Sequence, residues 1–142
     1  MSIWKRKSHF IDKPWGNETR FSSPFGMSGK LICLKENERT SLKYYKTKNQ
    51  IMYCLEGKVS IFAPNEKEFG DVEAEEGNYF NLSKGEVILI QALNPYRIRA
   101  MEDSKLLEVL GVCSGGYQQN EFVMIDDDYG RKIRDPNSVE DN

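Results

Sequence analysis

Apolar residues in this chain come in short runs rich in β-branched and aromatic side chains, bounded by Gly, Asn, Pro or charged clusters, and no segment sustains a 3.6-residue period. The pattern predicts strands over 30–35, 41–45, 51–56, 58–63, 78–82, 86–90, 96–101 and 105–112. Short strands in this number, with no helical segment between them, predict an all-β sandwich or barrel. Between 51 and 63 the pair Glu56-Gly57 falls where a tight hairpin turn is needed, because glycine reaches positive φ without a Cβ penalty. Residues 64–77 are acidic with little apolar content and read as an exposed loop or a short irregular strand pair. The polar residues 135–142 read as disordered.

Within a strand, residues two apart share a face. Lys43, Tyr45 and Thr47 therefore form one set, and Tyr96, Ile98 and Ala100 another, with Arg97 and Arg99 on the opposite side.

Composition narrows the possibilities. At 142 residues the chain suits one domain that buries roughly two thirds of its unfolded surface. Its 20 basic and 22 acidic residues are interspersed, for a net charge of -2, which gives no polyanion-binding surface for nucleic acid or anionic membrane. No apolar stretch approaches the roughly 18 residues of a membrane span, and the start MSIWKRKSHF lacks the apolar centre of a signal peptide, so a soluble, cytoplasmic protein is expected. Cys33, Cys54 and Cys113 form no CxxC pair and leave one cysteine over in any disulfide scheme, which fits a reducing compartment and three small buried apolar residues.

Four segments in order carry a resemblance. They are KPWGNE at 13–18, SLKYY at 41–45 with the LEG turn at 55–57, GEVILIQALNPYRI at 85–98, and DDDYGR at 126–131. Together they resemble the cupins, in particular the small barrel domains similar to mannose-6-phosphate isomerase and to mannose-1-phosphate guanylyltransferase. The resemblance implies a cupin jelly-roll β-barrel over 13–131, after an N-terminal arm at 1–12 and before a tail at 132–142.

It also shows what the chain lacks. The first cupin motif normally carries several histidines and a glutamate before the turn glycine, and here those places read Tyr45, Lys46, Thr47 and Gln50, with Gly57 kept. Counting the second motif from Gly85 puts Gln91, Leu93, Tyr96 and Ala100 where proline, glycine, histidine and asparagine usually stand. Amides, phenols and a threonine hydroxyl are poor ligands for divalent transition metals, so no metal and no other cofactor is expected. The single histidine, His9, lies outside both motifs and is read as packed or solvated rather than catalytic.

By position, the resemblance implies that Lys43, Tyr45, Thr47, Gln50 and Tyr96 line the barrel mouth. They form either a substrate pocket for a sugar phosphate or related carbohydrate, or a plug that fills the space a metal would take. Tyr45 and Tyr96 are the candidate acid and base if the protein is a sugar isomerase or epimerase, which requires a cation such as Lys43 to lower a phenol's pKa. Lys46 and Lys48 read as solvated loop charges, Trp15 as a packing anchor, and Asp126, Asp127 and Asp128 as a closing segment rather than a calcium site. Three functions stay open: a metal-free carbohydrate-binding cupin in sugar-nucleotide or polysaccharide metabolism, a structural cupin with a filled barrel, and a metal-independent isomerase. The resemblance further implies a homodimer paired through edge strands.

Overall fold

Along β5 (Lys48–Glu56) side chains alternate between buried and exposed, Lys48, Gln50, Met52 and Cys54 pointing in and Asn49, Ile51 and Tyr53 pointing out. That alternation is the period-2 signature of a strand with one face on a core and one on solvent. The computed structural model describes residues 3–65, 77–112 and 122–129. Among them lie eleven strands and no helix: β1 (His9–Lys13), β2 (Gly16–Ser22), β3 (Met27–Leu34), β4 (Leu42–Tyr45), β5, β6 (Lys58–Pro64), β7 (Gly77–Ser83), β8 (Val87–Ile90), β9 (Arg97–Ala100), β10 (Ser104–Val112) and β11 (Phe122–Asp126).

All pairings are antiparallel. One layer is a six-stranded sheet in the order β1-β2-β3-β10-β5-β8. The other consists of β7-β6-β9 and β11-β4, joined by bridges between Arg39 and Arg99 and between Lys43 and Tyr96. Between the layers Trp15, Ile32, Leu34, Met52, Cys54, Val59, Ile61, Leu82, Ile98, Ala100 and Leu106 form one apolar cluster. Burying a side chain such as Ile61 or Leu106 stabilises the fold by about 1.5–3 kcal/mol.

Each of the eight predicted strands is present, within a few residues at its ends. β1, β2 and β11 are additional, and β1 begins inside the segment read as an arm. Gly57 (φ 84) makes the expected turn, but β5 and β6 belong to different sheets, so the turn is not a hairpin; it carries the chain from one layer to the other. A Cβ at this position would lie 2.3 Å from Ser104 Oγ and 2.5 Å from the Asp103 carbonyl oxygen, which leaves glycine as the residue that fits. Cys54 is buried as expected, whereas Cys33 is half-buried on the outer face, and Cys113 lies outside the described residues. Most of 64–77, the tail at 132–142, Gly130 and Arg131 also lie outside them.

Leu93 has φ 70, in the left-handed region, at the place where the second motif resembles a glycine position. Its N–H donates to the Tyr45 carbonyl at 2.7 Å, which ties the loop to β4, while its side chain is exposed. A left-handed L-residue costs roughly 1–2 kcal/mol, part of which glycine returns as unfolded-chain entropy. Leu93→Gly is therefore expected to raise stability by about 0.5–1 kcal/mol in urea titration; an unchanged or lower midpoint would rule out strain at this loop.

Candidate functional site

The register of the six-stranded sheet puts Arg20, Lys30, Glu108 and Met52 side by side in one row across β2, β3, β10 and β5. The neighbouring inward row holds Glu18, Ile32, Leu106 and Cys54. The inner face is thus apolar toward one end of the sandwich and charged toward the other. From the facing layer β4 adds Lys43 and Tyr45 to the charged end, and β5 adds Lys48 and Gln50. Lys13, Glu18, Lys30, Lys43, Lys48 and Glu108 are all buried.

Glu18 is the hub. Its Oε1 accepts from Arg20 Nε at 2.6 Å and lies 3.7 Å from Lys13 Nζ, while Lys30 Nζ lies 3.9 Å from Oε2. Lys30 Nζ also donates to the Tyr45 hydroxyl at 3.2 Å. The ammonium groups of Lys30, Lys43 and Lys48 stand 5.9, 5.9 and 5.7 Å from the centre of the Tyr45 ring, within cation–π range. Tyr96, 1% exposed, accepts a hydrogen bond from Gln50 Nε2 at 2.7 Å, and its backbone pairs with Lys43. Lys13 Nζ and Glu108 Oε1 are buried without a hydrogen-bond partner in the structure.

Among the described residues five basic side chains and two carboxylates share this interior, and their protonation reflects it. Burial alone would push the Glu18 carboxyl up, but Lys30, Arg20, Lys43 and Lys13 together hold it down at about 2. Lys13 is lowered to about 7 by burial and by its cationic neighbours, which outweigh the attraction of Glu18. Lys43 is lowered to about 8, first by burial and then by Lys30. Lys30 goes the other way: burial disfavours its charge, yet Glu18, Tyr45 and Glu108 raise it above the ordinary lysine value. Burial raises the Tyr45 phenol to about 12, against the pull of Lys30. It raises Tyr96 as well, with Glu108 adding to the effect. Both phenols are thus held protonated, suited to hydrogen bonding rather than to acting as bases at neutral pH.

A divalent metal, which the cupin resemblance would put at the barrel centre, does not fit this donor set. The centre holds ammonium groups, phenols and an amide, and Glu18 is already engaged by three cations. Among the described residues no three His, Cys, Asp or Glu side chains come together as a ligand group.

Of the residues singled out from sequence, Lys43, Tyr45, Gln50 and Tyr96 are brought together in this interior. Thr47 is not on the strand: the chain bends at 46–47, which breaks the alternation, and Thr47 sits half-buried on the bend. Lys46 is exposed as expected, but Lys48 is buried and inward-facing, because β5 starts at 48, three residues earlier than 51. His9 is exposed on β1, and Trp15 is a buried anchor whose carbonyl accepts from the Lys35 N–H at 3.0 Å. Arg97 lies on the far side of β9, donating to the Thr40 carbonyl at 2.9 Å and 3.8 Å from Asp128, which Arg39 also grips through two nitrogens. Tyr129 completes this closing clasp with a 2.5 Å hydrogen bond to Glu38. Lys13, Glu18, Arg20, Lys30 and Glu108 were not foreseen. The readable signal was Glu108, whose parity on 105–112 matches that of Leu106 and Leu110 and so points inward.

Beside the charged interior a cavity of about 280 Å³ opens between β8 and β6–β7. Ile61, Phe80, Ile88, Ile90, Gln91 and Asn94 contribute to its walls, and Tyr96 reaches it from the other side. Tyr96 therefore touches both this opening and, through Gln50, the charged cluster.

No family model matches the chain, and no curated protein is similar to it. Among solved structures it is similar to oxalate decarboxylase from Bacillus subtilis, at TM-score 0.67 and 15% identity over 82% of this chain and 30% of that one. It is also similar to KdgF from Halomonas sp., at TM-score 0.57 and 16% identity over 73% of this chain and 86% of that one. A third similar structure is the coconut allergen cocosin, at TM-score 0.59 and 19% identity over 72% and 28% of the two chains. The chain thus spans under a third of the oxalate decarboxylase and cocosin chains. At these identities the likeness is one of fold, and the fold is that of the cupins: an all-β jelly-roll barrel.

Proposed function

We propose that this is a metal-free cupin whose barrel binds a small anionic carbohydrate, a sugar phosphate or sugar acid, at the charged end of its interior. The observation that supports it most is the gathering of cationic donors: Lys13, Lys30, Lys43 and Lys48 are buried at one end of the interior with Arg20 beside them, the donor type that holds phosphate and carboxylate oxygens. The cavity bordered by Tyr96 supplies an apolar wall with Phe80, and Gln91 and Asn94 as hydrogen-bonding groups, a mixture suited to a sugar ring. The role follows the resemblance to mannose-6-phosphate isomerase-like cupins and belongs to sugar-nucleotide or polysaccharide metabolism. Lys43, Tyr45, Gln50 and Tyr96 are its proposed lining, now with Lys13, Lys30 and Lys48 and without Thr47, which sits on the bend. Oxalate decarboxylase is named for a small dicarboxylate, so oxalate belongs in the same test.

The test is thermal unfolding in the presence of mannose 6-phosphate, glucose 6-phosphate, galacturonate, oxalate and inorganic phosphate, with mannose as the neutral control. An anionic ligand at 100 times its Kd adds about 2.7 kcal/mol, a shift of several degrees. A shift confined to the anions supports the reading, and no shift, or an equal one with mannose, overturns it.

A second reading is favoured by the burial of Tyr96, Gln50 and Tyr45, which occupy the interior themselves and would make the barrel a filled structural unit. If instead the protein turns over a sugar phosphate, Tyr45→Phe and Tyr96→Phe are expected to abolish the rate, since Tyr45 and Tyr96 are the proposed proton carriers. Lys43, held near 8, is then the group best placed to accept a proton.

A further inference from the structure

The balance of charge over the whole chain does not extend to one corner of it. Residues 3–11 read IWKRKSHFI and residues 19–29 read TRFSSPFGMSG, and neither segment contains an aspartate or a glutamate. The fold brings the two together. The Trp4 ring meets the Phe25 ring edge to face with 5.6 Å between centres, and the Arg6 guanidinium donates to the Ser22 carbonyl. Asp12 lies at the far end of the β1–β2 hairpin, opposite Asn17, and Glu18 is turned inward. Lys5, Arg6 and Lys7, all exposed, thus form a local excess of positive charge beside an apolar tip.

The turn between β2 and β3 holds that tip in place. The Ser23 N–H and hydroxyl both donate to the Met27 carbonyl, at 2.9 and 3.1 Å, and Ser23 Oγ accepts from the Phe25 N–H at 3.2 Å. Gly26 has φ 81, a left-handed position that glycine takes without a Cβ penalty. Fixed this way, the turn leaves Phe25 68% and Met27 61% exposed, and on the neighbouring arm Ile3 is 86% exposed beside a half-exposed Trp4. With aromatic side chains contributing about 150–250 Å² each, the four leave on the order of 400 Å² of apolar surface in water. An apolar patch of that size with a charged rim marks a place of contact.

From this we infer that the corner docks on an anionic membrane: Ile3, Trp4, Phe25 and Met27 enter the interfacial layer of the bilayer, and Lys5, Arg6 and Lys7 meet its lipid headgroups. Charge complementarity selects this partner, since each basic residue near an anionic leaflet strengthens binding by about fivefold, and three give on the order of 100-fold over a neutral one. Tryptophan favours the interfacial depth, and apolar area with flanking cations is what holds a protein on a bilayer without spanning it. The shape agrees. Side chains projecting from a turn need no complementary hollow in lipid, and the patch is about half of the roughly 800 Å² per partner that a standard protein interface buries. Nucleic acid suits it less, because the Trp4 and Phe25 rings stand at 63° to each other and offer no parallel faces for successive bases, and Ile3 and Met27 have no aromatic face. Docking requires nothing of the anion site in the barrel, so the two stand or fall separately.

The test is co-sedimentation of the full chain with vesicles of phosphatidylcholine alone and of phosphatidylcholine mixed with phosphatidylglycerol, at low and at high salt. Binding is expected to the mixed vesicles, on the order of 100-fold tighter than to the neutral ones, and to weaken as salt rises. Of the two tryptophans Trp15 is already buried, so a blue shift of emission with the mixed vesicles reports Trp4. Lys5→Glu with Lys7→Glu, and separately Trp4→Ala with Phe25→Ala, are each expected to lower the affinity by at least about tenfold with far-UV circular dichroism unchanged. Lys84→Glu, exposed in the β7–β8 turn at the other end of the sheet, is expected to leave it as it is. No binding to the mixed vesicles, equal binding to both kinds, or binding that survives both double variants overturns the inference. So does a corner that ignores vesicles but holds a single-stranded oligonucleotide, or a second copy of the chain, through Trp4 and Phe25.

Discussion

Replacing Glu18 by glutamine is expected to lower the stability of the fold by about 3–5 kcal/mol, the loss typical when one member of a buried charge group is removed and its partners stay. For a chain of this size that is a fall of roughly 10 °C or more in Tm. The side chain keeps its shape, so the effect isolates charge: Lys13, Arg20 and Lys30 lose the carboxylate they share, and each remains buried or partly so. Pairing the change with Lys30→Met is expected to recover part of the loss, because the double variant removes one of the orphaned cations together with its partner. Glu56→Gln is the control. Its pair with Lys105 is half-exposed on both sides and is expected to matter by less than about 1 kcal/mol. A Glu18→Gln protein as stable as wild type would show that the interior is wet enough to screen these charges.

The second large effect is a stability that rises with alkalinity. Lys13 titrates at about 7 and Lys43 at about 8 in the folded chain, both below the ordinary 10.5 that they regain on unfolding. Between those values the unfolded state binds more protons, so unfolding becomes harder as pH increases, by up to about 1.4 kcal/mol per pH unit for each lysine. Below pH 7 both are charged in either state and the cost of burying them is at its full value. Lys30 acts in the opposite direction, since its value is raised, but its contribution is lost only above the ordinary 10.5. Tyr45, raised to about 12 from 10.0, likewise begins to oppose stability only above pH 10. The expected result is a urea midpoint that climbs from pH 7 to pH 10, with a shallower climb in Lys13→Met. A midpoint that is flat or falls over this interval would contradict a neutral buried lysine. At the acid end Glu18, held at about 2, contributes stability that is complete above about 4.5 and is lost as pH falls through 2.

The same charges explain what the sequence concealed. Most of strands β3 to β10 were legible because apolar residues outnumber the charged ones in their inner places, so that runs such as LICL and QIMYCLE announce themselves. β1 and β2 were not, because in HFIDK and GNETRFS the inward places hold Lys13, Glu18 and Arg20, and a strand whose buried face is charged has the composition of a loop. The site thus erased the pattern that would have located it. Tyr45, Gln50 and Tyr96 were found through their positions in the two motifs, and Leu93 kept the backbone of a glycine while losing the residue. Lys48 was misjudged because the bend at 46–47 resets the strand's parity, a tertiary event with no local cue. The role of Gly57 depended on which strands pair across the chain, and that is decided by contacts between distant segments.

The position of β10 bears on how the protein is made. It lies between β3 and β5 in the middle of the larger sheet, yet it is the tenth of the eleven described strands to leave the ribosome. Until residue 112 has emerged, β3 and β5 each present an unpaired edge, with alternating apolar side chains beside it, to every other nascent chain nearby. Insertion of β10 closes both edges at once, and the clasp of Arg39 on Asp128, 89 residues apart in sequence, comes later still. Pairings so distant make for slow folding, and nearly the whole chain must be synthesised before its sheet can shut.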